Sequence, residues 1–193
     1  VKCSILPTIS SLRTPNITDT HTSPTSRRPL ISGSRSSNPV PVFLFCAFLM
    51  LVSHGAYYGF FSIHLENLGY KASFIGMAWA LASVSEILVM INSDKIFKRF
   101  SLEDVLVFSF IVAACRWFTL FFVTSPVLIL ISQLTHAATY GTFHIASILY
   151  IDSLTPDKAK TTGQVVNNAV TYGLGMMVGF FANGYLYEYT RSF

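Results

Sequence analysis

Residues 41–65 read PVFLFCAFLMLVSHGAYYGFFSIHL. The stretch contains no Asp, Glu, Lys or Arg, and it is long enough for the roughly 20 apolar residues a helix needs to cross a bilayer's hydrocarbon core. It is a membrane span, and four more follow it. The second is expected over 72–96, after the turn Glu66-Asn67-Leu68-Gly69-Tyr70. The third is expected over 102–123, with Ser101 as cap and Glu103 and Asp104 at the positive end of the helix dipole. Ser125-Pro126 starts the fourth, over 126–152, with Pro at the first helical position. Thr155-Pro156-Asp157 repeats that signal for the fifth, over 157–187, whose polar first turns protrude from the bilayer.

The composition agrees. Of 193 residues, 52% are hydrophobic and 11% charged, against roughly 25% charged in soluble domains. Mean hydropathy is +0.53. The fold class is therefore an all-α membrane protein, multi-pass, with five transmembrane helices and the lipid bilayer as its first partner. Residues 1–40 form a separate tail rich in Ser, Thr, Pro and Arg, with Asp19 its only acid. Such a segment cannot bury enough apolar surface to offset its ordering entropy and reads as disordered. A transit peptide has the same composition and stands as the alternative.

The net charge of +4 does not indicate nucleic acid. Lys2, Arg13, Arg27, Arg28 and Arg35 lie in the tail, and most other basic residues flank apolar runs. Short connections make neighbouring helices antiparallel. The tail, the Lys95/Lys98/Arg99 turn and the Lys158/Lys160 turn then share one face, with only Lys71 and Arg191 on the other. The positive-inside rule makes the first face cytoplasmic and the location the cell's cytoplasmic membrane. Cys3, Cys46 and Cys115 are far apart, with no metal spacing. Cys46 and Cys115 lie inside apolar runs as small core residues.

Ionisable residues inside a bilayer are costly and are functional candidates by default. Here they are His54 in the first helix, Glu86 in the second, Arg116 in the third, and His136 and His144 in the fourth. At 1.5 Å per residue, His54, Glu86 and His136 lie about 18, 20 and 16 Å from the outer ends, near the midplane; Arg116 lies about 12 Å deep and His144 roughly 28 Å. His136, Tyr140 and His144 form one stripe. His54, Tyr57 and Tyr58 form another, and Asn168 and Tyr172 a third, with Asn167 at its edge. Polar stripes at this depth must face each other or a watery cavity. Each residue also has a packing alternative: a Glu86–Arg116 ion pair, a core histidine at 54, tyrosines as ordinary wall residues, asparagines as interhelical glue. Gly175-Met176-Met177-Val178-Gly179 is a G-x-x-x-G and reads as helix packing.

These residues carry a resemblance. Ser53-His54-Gly55-Ala56-Tyr57-Tyr58-Gly59-Phe60, Leu68-Gly69-Tyr70, Ala78-Trp79-Ala80-Leu81, Ser85-Glu86, Arg116-Trp117, Gln133-Leu134-Thr135-His136 and Phe143-His144 recur in an order and spacing similar to one group of the major facilitator superfamily. That group comprises phenylpropionate permeases and nucleoside–proton symporters, and the match covers about residues 41–190. The resemblance implies helices seven to eleven of twelve, with the tail at the central cytoplasmic loop. Asp94, Lys95, Lys98 and Arg99 resemble the superfamily's acidic–basic loop motif, without its usual glycines. The implied fold places His54, Tyr57, Tyr58, Glu86, His136, Tyr140, His144, Asn168 and Tyr172 around a central cavity. It leaves Arg116 on a peripheral helix, orienting or neutralising Glu86.

The implied activity is secondary active transport, a proton symport of a small organic solute such as an aromatic acid or nucleoside. There is no cofactor beyond the coupling proton, no catalytic residue and no enzyme activity. A membrane haem protein using His54 and His136 and a non-transporting sensor are the alternatives. The chain opens on Val, and the first six helices and the twelfth have no counterpart in it. The expectation is a fragment that needs the missing N-terminal half of the same transporter and does not transport alone.

Overall fold

The structure, a computed structural model, describes residues 38–190. Residues 1–37 of the tail and Arg191 lie outside the described residues, and the tail's last two residues, Pro39 and Val40, already belong to the first helix. Helix α1, Pro39–Asn67, starts where the Asn38 side chain accepts from the Val40 amide at 3.1 Å. It ends at Gly69, whose φ of +84° lets the Tyr70 amide turn back to the Leu65 carbonyl at 3.0 Å. A Cβ would resist that left-handed conformation. Ser101 caps α4, Leu102–Phe122, by accepting from the Asp104 amide at 3.1 Å.

Two helix ends differ from expectation. Helix α2 spans Ala72–Ile91, not 72–96. The Asn92 side chain donates to the Leu88 carbonyl and receives the Lys95 ammonium, so it competes with the backbone and breaks the helix. A separate short helix, α3, Ser93–Arg99, follows, with Ile96 and Phe97 packed on the core. At the other end, Thr155 does not cap forward. Its hydroxyl donates back to the Ile151 carbonyl at 2.7 Å.

The last two rods are interrupted helices. The fourth runs as α5 (Pro126–His136), a π-helical segment Ala137–Gly141 and α6 (Thr142–Leu154). The fifth has a 3-10 turn Asp157–Ala159, then α7 (Lys160–Asn168), a second π segment Ala169–Gly175 and α8 (Met176–Thr190). Among the described residues, four helices are long and apolar enough to cross a membrane: Pro39–Asn67, Ala72–Ile91, Leu102–Phe122 and Asp157–Tyr189. The rod 126–154 stands apart from the expected five by its polarity, for it carries Gln133, His136, Thr139, Tyr140 and His144.

That polar rod is the hub. Helices α2 and α4 pack along it, while α1 packs mainly against α8 and the second π segment. The α1–α8 contact is backbone to backbone. A Cβ placed on Gly55 would lie 2.7 Å from the Gly179 backbone, and one on Gly179 would lie 2.6 Å from the Val52 carbonyl oxygen. Lipid tails are as apolar as leucine, so close packing and interhelical hydrogen bonds hold such rods together rather than the hydrophobic effect.

The core has three layers. One apolar cluster contains Met50, Leu51, Val105, Ala113, Phe143 and Ile151. Another contains Phe61, Leu65, Ile75, Leu120 and Ile129. Between them in sequence lies a buried polar layer of His54, Arg116, Ser132, Gln133, His136 and Thr139. The outer surface is apolar: Phe45, Ile87, Phe108, Ile111, Phe118 and Phe181 are all exposed. An exterior of that kind suits acyl chains.

Candidate functional site

The polar layer is bonded across helices. Glu86 Oε1 on α2 lies 2.7 Å from His136 Nε2 on α5. The Tyr58 hydroxyl on α1 lies 3.3 Å from the same nitrogen. Three helices thus meet at one imidazole, which is buried, while the Glu86 side chain keeps 20% of its surface exposed. His54 is fully buried beside them, its ring centroid 6.0 Å from that of His136. Its Nδ1 donates to the Met50 carbonyl at 2.9 Å, one turn back in α1. A carbonyl only accepts, so Nδ1 carries the hydrogen.

Arg116 is buried but does not pair with Glu86. Its Nε donates to the Ser132 carbonyl at 3.0 Å and its Nη2 to Gln133 Oε1 at 3.4 Å. Its guanidinium stacks 4.2 Å from the Tyr57 ring centre and 4.8 Å from that of Trp117. The Tyr57 hydroxyl donates to Gln133 Oε1 at 2.6 Å. Arg116 therefore braces α5 and α1 and acts on Glu86 through its charge alone. His54 Nε2, Arg116 Nη1, Trp117 Nε1 and His136 Nδ1 keep no hydrogen-bond partner, so unspent bonding capacity remains at the centre of the layer.

Further along the fourth rod the rings of His136, Tyr140 and His144 stack. Their successive centroids are 5.3 and 6.5 Å apart and nearly parallel, at 14° and 8°. His144 Nδ1 meets the Tyr172 hydroxyl of the fifth rod at 2.5 Å. Asn168, expected beside Tyr172, is exposed instead. Asn167 is the buried one, donating to Ser147 Oγ at 3.1 Å. Both asparagines lie at the end of α7, and the Ser147 bond sets which of them faces α6. Asp94, Lys95, Lys98 and Arg99 are exposed or at the surface on α3, away from the layer; Arg99 lies over the Phe100 ring at 5.7 Å. Among the described residues, no ion pair joins Asp94 to these bases.

Gln133, Ser132, Trp79 and Trp117 belong to the site and were not expected there as site residues. Gln133 is fully buried and touches both Tyr57 and Arg116. A signal existed: an amide in an apolar run, three residues before His136 and so on the same helix face. Trp79 stacks on Tyr58 and anchors its own indole on Ser62 Oγ at 3.0 Å. The rings of Trp117 and Tyr140 lie 5.0 and 5.6 Å from that of His54.

Comparison with known proteins places this geometry. The family described as "MFS_1 like family" matches residues 31–193. The "Probable 3-phenylpropionic acid transporter" of Escherichia coli (strain K12) is 33% identical over 147 residues, covering 76% of this chain and 38% of that protein. The "Putative nucleoside transporter YegT" of the same organism is 26% identical, covering 76% of this chain and 35% of the relative. The "Maltose permease" of Geobacillus stearothermophilus is 26% identical over 82% and 40%. The chain thus spans less than half the length of the curated relatives it matches. No solved structure matches it. The chain belongs to the MFS_1-like family of the major facilitator superfamily and is a multi-pass membrane protein.

Proposed function

We propose, with that membership as the premise, that the chain is the proton- and solute-handling part of a secondary transporter, corresponding to helices seven to eleven of twelve. The transporter couples entry of a small aromatic acid or nucleoside-like solute to protons. The observation that carries this is the contact at 2.7 Å between Glu86, on the apolar span Ala72–Ile91, and the buried His136. A proton shared between a carboxylate and an imidazole at that distance can be held by either group.

A charge count supports taking an anion together with a proton. With Glu86 ionised and His136 neutral, Arg116 balances the layer at zero. Adding one proton makes the layer positive, and a net charge is costly away from water. An anionic solute arriving with the proton restores neutrality, so each favours the other's binding. The half-buried rings of Tyr58, Trp79, Tyr140 and Tyr172 form an aromatic wall, consistent with the aromatic acid and nucleoside named for the relatives. As in other secondary transporters, binding near the midplane would then permit access from alternate sides.

The test is reconstitution of the full-length transporter in liposomes with an imposed inward proton gradient. Labelled 3-phenylpropionate, uridine and maltose are compared with protein-free vesicles. Accumulation of 3-phenylpropionate or uridine above the protein-free level, abolished by a protonophore, is expected. Uptake of all three that ignores the gradient, or none at all, would contradict the proposal.

A further inference from the structure

We propose that the hydroxyls of Tyr58, Tyr140 and Tyr172 form a proton wire from His136 to His144, making His144 the second proton-holding station of the transporter. The inference rests on the proton-symport reading above and adds a route to it. His136 and His144 lie eight residues apart on one rod, about 12 Å along its axis, too far for direct transfer. Their stacked rings do not bridge that gap, because a ring face carries no transferable proton. Hydroxyl-bearing rings from three rods occupy it. The Tyr58 hydroxyl of α1 meets His136 Nε2 at 3.3 Å. The Tyr140 ring packs edge-on against those of Tyr58 and Tyr172, its centroid 5.7 and 6.2 Å from theirs. The Tyr172 hydroxyl meets His144 Nδ1 at 2.5 Å.

Each transfer conserves protons. Protonated His136 gives its Nε2 hydrogen to the Tyr58 oxygen as Tyr58 passes its own hydrogen to Tyr140. Tyr140 passes one to Tyr172, and Tyr172 passes one to His144 Nδ1. His136 ends neutral, His144 ends protonated, and every tyrosine keeps one hydrogen. Rotation of the three hydroxyls resets the wire. The groups facing His144 are Tyr172 from the fifth rod and Tyr140 from its own, with the Glu86 charge on α2 acting from further off. Neither tyrosine is a base that would hold the proton short of His144, and the Glu86 carboxylate faces His136 at the start of the route. His144 is half-buried and lies toward Leu154, the end that the lysine pattern assigns to the cytoplasm, so it can hand the proton to water there.

A second observation agrees. Tyr140 and Tyr172 each sit within a π segment, Ala137–Gly141 and Ala169–Gly175. Such segments are uncommon and recur at functional sites, because the extra residue re-aims a side chain. Here both interruptions place a tyrosine on the same line between the two histidines.

The test uses the full-length transporter in liposomes with 3-phenylpropionate as the probe. Two rates are compared: accumulation driven by a proton gradient, and exchange of labelled for unlabelled solute at equal pH, which needs no net proton passage. Tyr140→Phe removes one oxygen and keeps the ring stack, so folding is preserved; His144→Gln is the second variant. The ratio of accumulation to exchange should fall at least tenfold in both. An unchanged ratio in Tyr140→Phe and His144→Gln would overturn the wire. Glu86→Gln separates the two levels: if its ratio collapses while those of the other variants hold, the wire alone fails. If its ratio also holds, or the wild type carries no 3-phenylpropionate, the symport reading fails and the wire with it.

Discussion

Glu86 Oε1 and His136 Nε2 stand 2.7 Å apart on different rods, and the imidazole they share is also touched by the Tyr58 hydroxyl. The acid thus meets a group that can exchange a proton with it, not a permanent cation. Arg116 is turned to Ser132 and Gln133 instead. Had Arg116 held the carboxylate in a bidentate clamp, the acid would stay ionised and could not cycle. The hydrogen bonds of Arg116 go to α5, and none is made to Glu86.

The α1–α8 crossing makes a stability prediction. Gly55→Ala places a methyl group against the Gly179 backbone, which cannot swing aside. Overpacking of this kind costs about 1–3 kcal/mol. Gly76 on α2 has nothing within 4 Å of an added Cβ, and alanine there favours the helix. Thermal unfolding in detergent should show a lowered midpoint for Gly55→Ala and an equal or higher one for Gly76→Ala. The reverse order would contradict the described crossing.

Arg116→Lys keeps the charge and removes the planar fork that reaches two acceptors at once. The expected loss is about 1.5–3 kcal/mol, the worth of a hydrogen bond to a charged group. It is read from the midpoint of denaturation in increasing SDS. A wild-type midpoint would mean that the Ser132 and Gln133 contacts carry no weight.

How much of this was legible in the sequence depended on what each residue type constrains. Gly69, Ser101 and Pro126 marked helix ends because their chemistry is tied to one backbone position. Asn92 was missed as a helix end because Ile96 and Phe97 continue the apolar pattern past it; only the side-chain bond to Leu88 shows the break. Depth along a rod was legible, since rise per residue is fixed, and His54 and His136 do lie side by side. Direction around the rod was not legible, so an ion pair between Arg116 and Glu86 stood as an alternative that the hydrogen bonds of Arg116 do not bear out. The π segments have no residue signature. Nor did the sequence mark Asn167, rather than Asn168, as the buried amide.

Cys115 tests which side of α4 faces lipid. The sequence suggests a small core residue there, but Cys115 is exposed on the lipid-facing side, about 11 Å from the Phe122 end of the helix. In a Cys3→Ser, Cys46→Ser background, a membrane-impermeant charged maleimide should leave Cys115 unlabelled in intact membranes and label it fully after SDS denaturation. Rapid labelling in intact membranes would place that face of α4 in water and contradict the described exterior.

The coupling role of the Glu86–His136 contact is tested most directly by proton movement itself. A pH-sensitive dye trapped in liposomes holding the full-length Glu86→Gln variant reports acidification when 3-phenylpropionate is added outside, corrected for protein-free vesicles. The variant should acidify the lumen at least tenfold more slowly than wild type while its solute exchange at equal pH falls far less. Acidification at the wild-type rate would contradict the account, because the proton would then cross without this carboxyl.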